Sequence, residues 1–178
     1  MRFLRGLAKL IGAVLLVLVL AFGAVLVGAR WHDGPMGMIA GGPLVAGDLA
    51  IGAEPDWKFA HDIPTVEFQL LNPARSRTTW ILEVDGHIYI PSGYMNSAIG
   101  KLWKQWPLEA AKDGRAILRI NGRRYERSLV RVQSGAENAA LLQKLLDEVN
   151  RKYGTKATMA NVANGAMWLF ELAPRVGS

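Results

Sequence analysis

The chain contains no cysteine, which excludes a disulfide framework, a thiolate nucleophile and a cysteine-ligated metal site. Its histidines, His32, His61 and His87, lie far apart without the spacing of metal ligands, so we expect no metal site. The sequence also lacks a Walker loop, a dinucleotide-binding glycine fingerprint and a G-x-S-x-G motif. These absences exclude the enzyme classes that are easiest to recognise and leave enzymatic activity open.

Charge and proline are both absent from the segment Leu10–Ala29. At about 1.5 Å per helical residue this segment reaches roughly 30 Å, the thickness of the hydrocarbon core of a bilayer. Arg2, Arg5 and Lys9 precede it, and no acidic residue accompanies them. Because positive charge favours the cytoplasmic side, the sequence predicts a single-pass signal anchor with a cytoplasmic N-terminus. In a bacterium, the domain after the anchor would lie in the periplasm, on the outer side of the inner membrane.

A cleaved secretory signal is the alternative for the same segment. Val27, Gly28 and Ala29 place small residues where a signal peptidase would cut. The apolar run is longer than the roughly 7–15 residues of a usual signal sequence, so we expect a retained anchor. Both alternatives leave the following domain on the same side of the membrane.

The positive charge of the chain belongs largely to the anchor. Four of the 21 basic residues and none of the 15 acidic ones lie in the first thirty positions, so the remainder has a net charge of only +2. This balance is not typical of a nucleic-acid-binding surface, and we expect no nucleic-acid partner.

Glycine and proline recur through residues 31–64, a spacing that prevents a continuous helix or strand. The segment also has too many apolar residues for a fully solvated linker, so we expect part of it to pack on the domain or on a partner. The predicted organisation is a cytoplasmic tip and membrane helix at residues 1–30, this linker at 31–64, and one domain at 65–178.

The domain begins with segments that are typical of strands. Asp85-Gly86 and Asn121-Gly122 are dipeptides that favour two-residue type I′ hairpins. Runs rich in β-branched and aromatic residues predict the strands Thr65–Leu71, Thr78–Val84, His87–Pro91, Ala116–Ile120, Arg123–Val132 and Met167–Leu172.

Two helices are predicted between the strands. The first follows the capping residue Ser97, with apolar side chains at helical spacing at Ile99, Leu102, Trp103 and Trp106. It ends at Pro107, which is predicted to start a second short turn through Lys112. The second begins at the capping box Ser134–Glu137, carries a stripe of leucines, and ends at Gly154. The order of elements indicates an α+β fold in which helices close the openings of an antiparallel, barrel-like sheet.

Three stretches resemble a known group in their content and order. Residues 75–93 hold a Ser/Arg-bearing strand and an Asp-Gly hairpin, Lys101–Pro107 holds tryptophans and ends in proline, and Arg115–Tyr125 ends in a Gly-Arg-Arg-Tyr hairpin. In this order they resemble the split β-barrel superfamily, which includes the pyridoxamine-phosphate oxidases and the deazaflavin-dependent nitroreductases. The resemblance covers Thr65 to Pro174 and implies an antiparallel split β-barrel with two helices.

The resemblance implies FMN or a deazaflavin as cofactor, held between the sheet and a second copy of the chain. Arg75, Ser76, Arg77 and Thr78 carry guanidinium and hydroxyl groups that can bind a phosphate, and in the resemblance this region abuts the flavin phosphate. A polar turn before a strand is the alternative explanation of the same residues.

Lys101 and Trp103 could place a cation and an aromatic ring near this phosphate-binding region. The alternative is that Trp103 belongs to the hydrophobic core and that Lys101 is exposed to solvent. On the second hairpin, Arg127 is predicted to share a face with apolar Leu118. There it needs an anionic ligand, a carboxylate such as Glu83, or exposure at the rim.

The two-residue turn also predicts that Arg119 lies opposite Arg124 on the other face of the hairpin. Like charges in that position repel each other. The pairing therefore hints at an anion or an acidic partner surface, with solvated rim arginines as the alternative.

Three functions remain open from the sequence. The first, which the resemblance favours, is a membrane-anchored flavin- or deazaflavin-dependent oxidoreductase-like protein of unknown substrate. The second is a non-enzymatic accessory subunit of a membrane complex, and the third is a periplasmic module that binds a small anionic or hydrophobic ligand. Because a flavin performs the difficult step itself, missing acid/base pairs do not exclude the first.

Overall fold

The computed structural model describes residues 2–97 and 105–175. Helix α1 (Arg2–Gly28) continues into a 3-10 turn at Ala29–Trp31. Its apolar side chains are exposed along its length. The stretch Phe3–Trp31 is long and apolar enough to cross a membrane, and within the described residues it is the one helix of this kind.

The domain is α+β and is built on a curled, mainly antiparallel sheet. Its strands are β1 (Asp48–Leu49), β2 (Thr65–Leu71), β3 (Ala74–Trp80), β4 (Leu82–Val84), β5 (His87–Ser92), β6 (Arg115–Ile120), β7 (Arg123–Arg131) and β8 (Trp168–Pro174). The order across the sheet is β3-β2-β6-β7-β8-β5-β4, and β1 pairs in parallel with the start of β7.

Both predicted hairpins are confirmed. Asp85 and Gly86 have φ values of 54° and 81°, and Asn121 and Gly122 have φ values of 49° and 73°, as a type I′ turn requires. The predicted register of the second hairpin is also confirmed, with Arg119 opposite Arg124.

The prediction of one strand over Thr78–Val84 is wrong. The chain leaves β3 at Trp80, passes through Ile81, and enters β4, which pairs with β5 and not with β2. Because β3 and β4 are the two ends of the strand order, one residue joins the opposite edges of the sheet. The sheet therefore curls into a half-barrel.

Tyr153 supports the backbone at this break. Its hydroxyl accepts a hydrogen bond from the N–H of Ile81 at 3.0 Å and lies 2.7 Å from the carbonyl oxygens of Ile81 and Pro64. Its ring stacks on Trp80 with centroids 4.2 Å apart. Burial raises the pKa of Tyr153 to about 12, so the hydroxyl stays protonated and keeps its donor.

Replacing Tyr153 with phenylalanine is expected to reduce the free energy of unfolding by about 1–2 kcal/mol. The substitution removes the hydrogen bonds between the hydroxyl and the backbone of Ile81 and Pro64, while the stacking of the ring on Trp80 remains. Denaturant unfolding of the full chain in detergent measures this difference. Tyr125→Phe is the matched control, since no hydrogen bond joins the Tyr125 hydroxyl to the described residues, and it should change stability little. Equal effects of the two substitutions would contradict the assigned role of Tyr153.

The helices of the domain differ in part from the prediction. They are α2 (Trp106–Ala110), α3 (Ala139–Tyr153) and α4 (Met159–Ala163). Residues 98–104 of the first predicted helix lie outside the described residues. The short turn predicted to start at Pro107 is present as α2, which begins one residue earlier, at Trp106.

The capping box predicted at Ser134–Glu137 does not form. A 3-10 turn at Ala136–Asn138 leads into α3 instead, and no side chain caps that helix. The end of α3 at Gly154 in the left-handed conformation is as predicted. Thr158 and Asn161 form a capping box for α4, which the sequence reasoning missed.

The sheet buries side chains on both faces. On the inner face, residues including Phe68, Ile90, Leu118 and Phe170 form one core with Trp57 and Trp106. On the outer face, Leu82, Tyr89 and Leu169 form a second core with the predicted stripe of α3: Leu142, Leu145, Leu146 and Val149. The sheet is therefore packed on both faces, with α3 covering the outer one.

Candidate functional site

A groove of about 990 Å³ opens beside the edge strand β3, within the size range of small-molecule sites. Strand β3 contributes Arg75, Arg77 and Thr78 to its wall, so three of the predicted site residues lie together. The opposite side is formed by the end of β5, by Trp106 and by the segments around α4. Phe22 and Leu26 of α1 form a third side of the groove.

Arg77 is the central charged residue of this groove. It lies across from Phe68 in the pairing of β2 with β3, on the inner face of the sheet. Its guanidinium carbon is 5.7 Å from the ring centroid of Phe68 and 6.0 Å from that of Trp106. The Nε atom is buried without a hydrogen-bond partner, and no described carboxylate forms an ion pair with the side chain.

Burial lowers the pKa of Arg77 to about 10, while the charge of Glu109 acts in the opposite direction and that of Arg75 in the same one. Arg77 therefore remains charged at neutral pH. A partly buried charge without a carboxylate partner is costly, and an anion that entered the groove would offset this cost.

The charge of the groove has one sign. Arg30, Arg75, Arg77 and Lys156 line it, and the described lining residues include no aspartate, glutamate or histidine. The rest of the described lining combines hydroxyl groups with apolar and aromatic side chains such as Trp80. Such a surface can bind an anionic group next to an apolar or aromatic body, but it offers no carboxylate or imidazole for proton transfer.

Ser76 does not face this groove. It is fully buried on the outer face of β3, where its hydroxyl donates a hydrogen bond to the carbonyl of Gly42 at 2.6 Å. The backbone of Ser76 also pairs with Gly41. Ser76 thus fastens the glycine- and proline-rich segment to the sheet. Lys101 and Trp103 lie outside the described residues.

Arg127 is not among the residues that line the groove. Its side chain is 4% exposed, and its Nη1 donates to Glu54 at 2.7 Å. The guanidinium carbon also lies 4.8 Å from the ring centroid of Trp57. The partner of Arg127 is therefore a carboxylate, one of the alternatives left open by the sequence, although it is Glu54 and not Glu83.

The face of the hairpin that carries Arg119 and Arg124 is covered by the segment between α1 and β2. Arg119 binds Asp33 at 2.9 Å and Glu67 at 2.6 Å. Arg124 donates to the carbonyl of Gly47 at 2.9 Å. The acidic partner suggested by the paired arginines is thus supplied by the chain itself.

Gly47 allows this close approach. It has a φ of +95°, and a Cβ atom there would lie 2.2 Å from the carbonyl oxygen of Gly122. Only glycine combines that backbone conformation with that contact.

Asp33 makes the packing of this segment sensitive to acid. Burial raises its pKa, but hydrogen bonds from Val45, Arg119 and Ala46 outweigh burial and hold the pKa below the ordinary 3.8. Because the folded pKa is the lower one, ionised Asp33 stabilises the fold above pH 3.8, and this contribution is lost as the pH falls through the folded value.

Asp33→Asn is accordingly expected to destabilise the chain at neutral pH by about 1 kcal/mol or less, in the range of partly exposed ion pairs. The difference from the unsubstituted chain should disappear in acid. Thermal unfolding across the pH range measures it, with Asp48→Asn as the control, because Asp48 is exposed in β1 and makes no ion pair with the described residues. A difference that stays constant with pH would contradict this role.

Arg30 and Lys156 are the groove residues that the sequence reasoning missed as site candidates. In the sequence, Arg30 is only one of the four basic residues of the predicted anchor region. Lys156 lies in the connection between α3 and α4. No spacing along the chain relates either of them to β3, so the sequence contained no local signal of their convergence.

No protein family model matches this chain, and no curated protein matches it significantly.

Proposed function

We propose that the chain is a membrane-anchored, split-barrel-like protein whose groove holds a phosphate-bearing redox cofactor, FMN or a deazaflavin, for an oxidoreductase-like activity. The observation that carries this proposal is Arg77, a partly buried guanidinium without a carboxylate partner among the described residues. An anionic ligand supplies the missing partner.

The residues of the groove fit such a cofactor. Arg75 and Arg77 would hold the phosphate through charge-assisted hydrogen bonds. Thr78 lies at the edge of the groove, but its side chain shares the outer face of β3 with Ser76. Trp80 and Trp106 offer aromatic walls for a planar ring. When bound, the cofactor supplies the electron or hydride transfer, while the chain binds it, orients it and excludes water.

A second candidate function is a binding module without redox chemistry. The observation in its favour is the absence of aspartate, glutamate and histidine from the described lining of the groove. Such a lining binds an anion without providing an acid or a base. The two candidates share the anion site and differ in whether a flavin occupies it.

The test of the first candidate is a visible spectrum of the full chain in detergent, recorded as purified and after addition of FMN. Binding beside tryptophan is expected to quench flavin fluorescence and shift the absorption bands. A colourless protein that leaves the FMN spectrum unchanged would contradict the flavin proposal.

For localisation we propose a retained single-pass anchor in the bacterial inner membrane, with the domain in the periplasm. The basis is the positive charge of Arg2, Arg5 and Lys9 before α1. A reporter enzyme that is active only outside the cytoplasm should therefore be active when fused after Ser178. Activity only of a cytoplasmic reporter at the same position would overturn the assignment, and a mature N-terminus at Arg30 would show cleavage.

A further inference from the structure

One face of α1 continues into the groove. Phe22, Leu26 and Arg30 follow one another at intervals of four residues and all line the groove. Two apolar side chains on the membrane helix thus lead to a cation where the helix ends. Apolar side chains followed by a cation are complementary to a molecule that has a hydrocarbon chain and an anionic head.

With α1 spanning the bilayer, as proposed above, the end of the groove beside α1 would lie at the level of the membrane surface. Arg30 and Trp31 lie in the 3-10 turn that follows α1, and charged and aromatic residues at the end of a membrane helix are typical of the bilayer interface. Trp31 is 78% exposed, and Met38, which lines the groove, is 89% exposed. Large exposed apolar side chains at this place favour contact with lipid over contact with water.

We propose that the groove receives an anionic phospholipid-like molecule directly from the bilayer. Its phosphate binds Arg30 and Lys156, and its hydrocarbon chain lies along Phe22 and Leu26. Charge complementarity supports this occupant, because the described lining carries four cations and no acidic residue. The inference rests on the anion site of the proposed function and adds that the ligand enters from the membrane.

The experiment uses the full chain in detergent and native mass spectrometry with added lipids. Phosphatidylglycerol is expected to be retained about tenfold better than the zwitterionic phosphatidylcholine, and Arg30→Ala should remove this preference. Arg123→Ala is the matched control, since Arg123 is an exposed arginine outside the lining, and it should retain the preference.

A second pair of variants tests the wall formed by α1. Leu26→Trp fills the groove and should reduce lipid retention by about tenfold. Val25→Trp adds the same bulk at a neighbouring position of similar exposure outside the lining, and should not. Equal retention of the two lipids by the unsubstituted chain would overturn the inference. So would the same lipid preference in Arg30→Ala and Arg123→Ala, or the same lipid retention in Leu26→Trp and Val25→Trp.

Two further measurements separate this inference from the proposed function. Glycerol phosphate, which has the anionic head without the chain, should bind far more weakly than phosphatidylglycerol, and equal binding would overturn the membrane source of the ligand. FMN binding is measured in parallel on the unsubstituted chain and on the control Arg123→Ala, and should be the same in both. Failure of the unsubstituted chain to bind FMN would overturn the flavin proposal alone, because lipid selectivity is read independently.

Discussion

Replacing Arg77 with methionine is expected to weaken FMN binding by about ten- to a hundredfold, the usual worth of a hydrogen bond to a charged group. The same substitution should leave the free energy of unfolding unchanged or increase it. The charge of Arg77 is desolvated between Phe68 and Trp106 without a carboxylate partner, and an apolar side chain of similar length removes that cost. Opposite effects on binding and stability are typical of a residue retained for a ligand.

Fluorescence titration and thermal unfolding of the same samples measure both effects. Arg123→Met is the control, because it removes an exposed arginine outside the groove and should change neither quantity. A loss of stability in Arg77→Met with unchanged FMN affinity would show that Arg77 is a structural residue.

Glu54→Ala is expected to produce the largest loss of stability among the substitutions considered, about 3 kcal/mol. The substitution leaves the 4% exposed guanidinium of Arg127 without its carboxylate, and an uncompensated buried charge is strongly destabilising. The hydrogen bond from the indole of Trp57 to Glu54 is lost as well. Arg127→Met should cost less, because Glu54 is 42% exposed and water can solvate it once the arginine is gone.

Denaturant unfolding of Glu54→Ala, Arg127→Met and the unsubstituted chain tests this order. Asp113→Ala is the matched control, since its partner Arg115 is 60% exposed and the pair is solvated. It should have little effect. A milder effect of Glu54→Ala than of Arg127→Met would contradict the assignment of Arg127 as the buried member of the pair.

The parts of the fold that could be predicted are those encoded over a few residues. Asp85-Gly86 and Asn121-Gly122 favour one backbone conformation, and the structure has it at both places. The stripe of α3 repeats at helical spacing, and its apolar members are buried. Arg75 and Arg77 lie on β3, which begins at Ala74, whereas β-propensity began that strand at Thr78 and only the resemblance placed arginine and serine on a strand.

The parts that could not be predicted depend on contacts between distant residues. The break at Ile81 exists because β3 and β4 pair with different strands, and the β-propensity of Thr78–Val84 is the same in either arrangement. Arg127 and Glu54 are also distant in the chain. Arg30 reaches the groove only because the segment after α1 folds back onto the sheet at Gly41.

The most direct test of the anion site compares the binding of FMN and riboflavin to the full chain in detergent. The two ligands share the ring system and differ by the phosphate that Arg75 and Arg77 are proposed to hold. We predict that FMN binds about tenfold more tightly, or better, as expected for charge-assisted hydrogen bonds to a phosphate. Equal affinities for the two ligands, or no binding of either, would contradict the account.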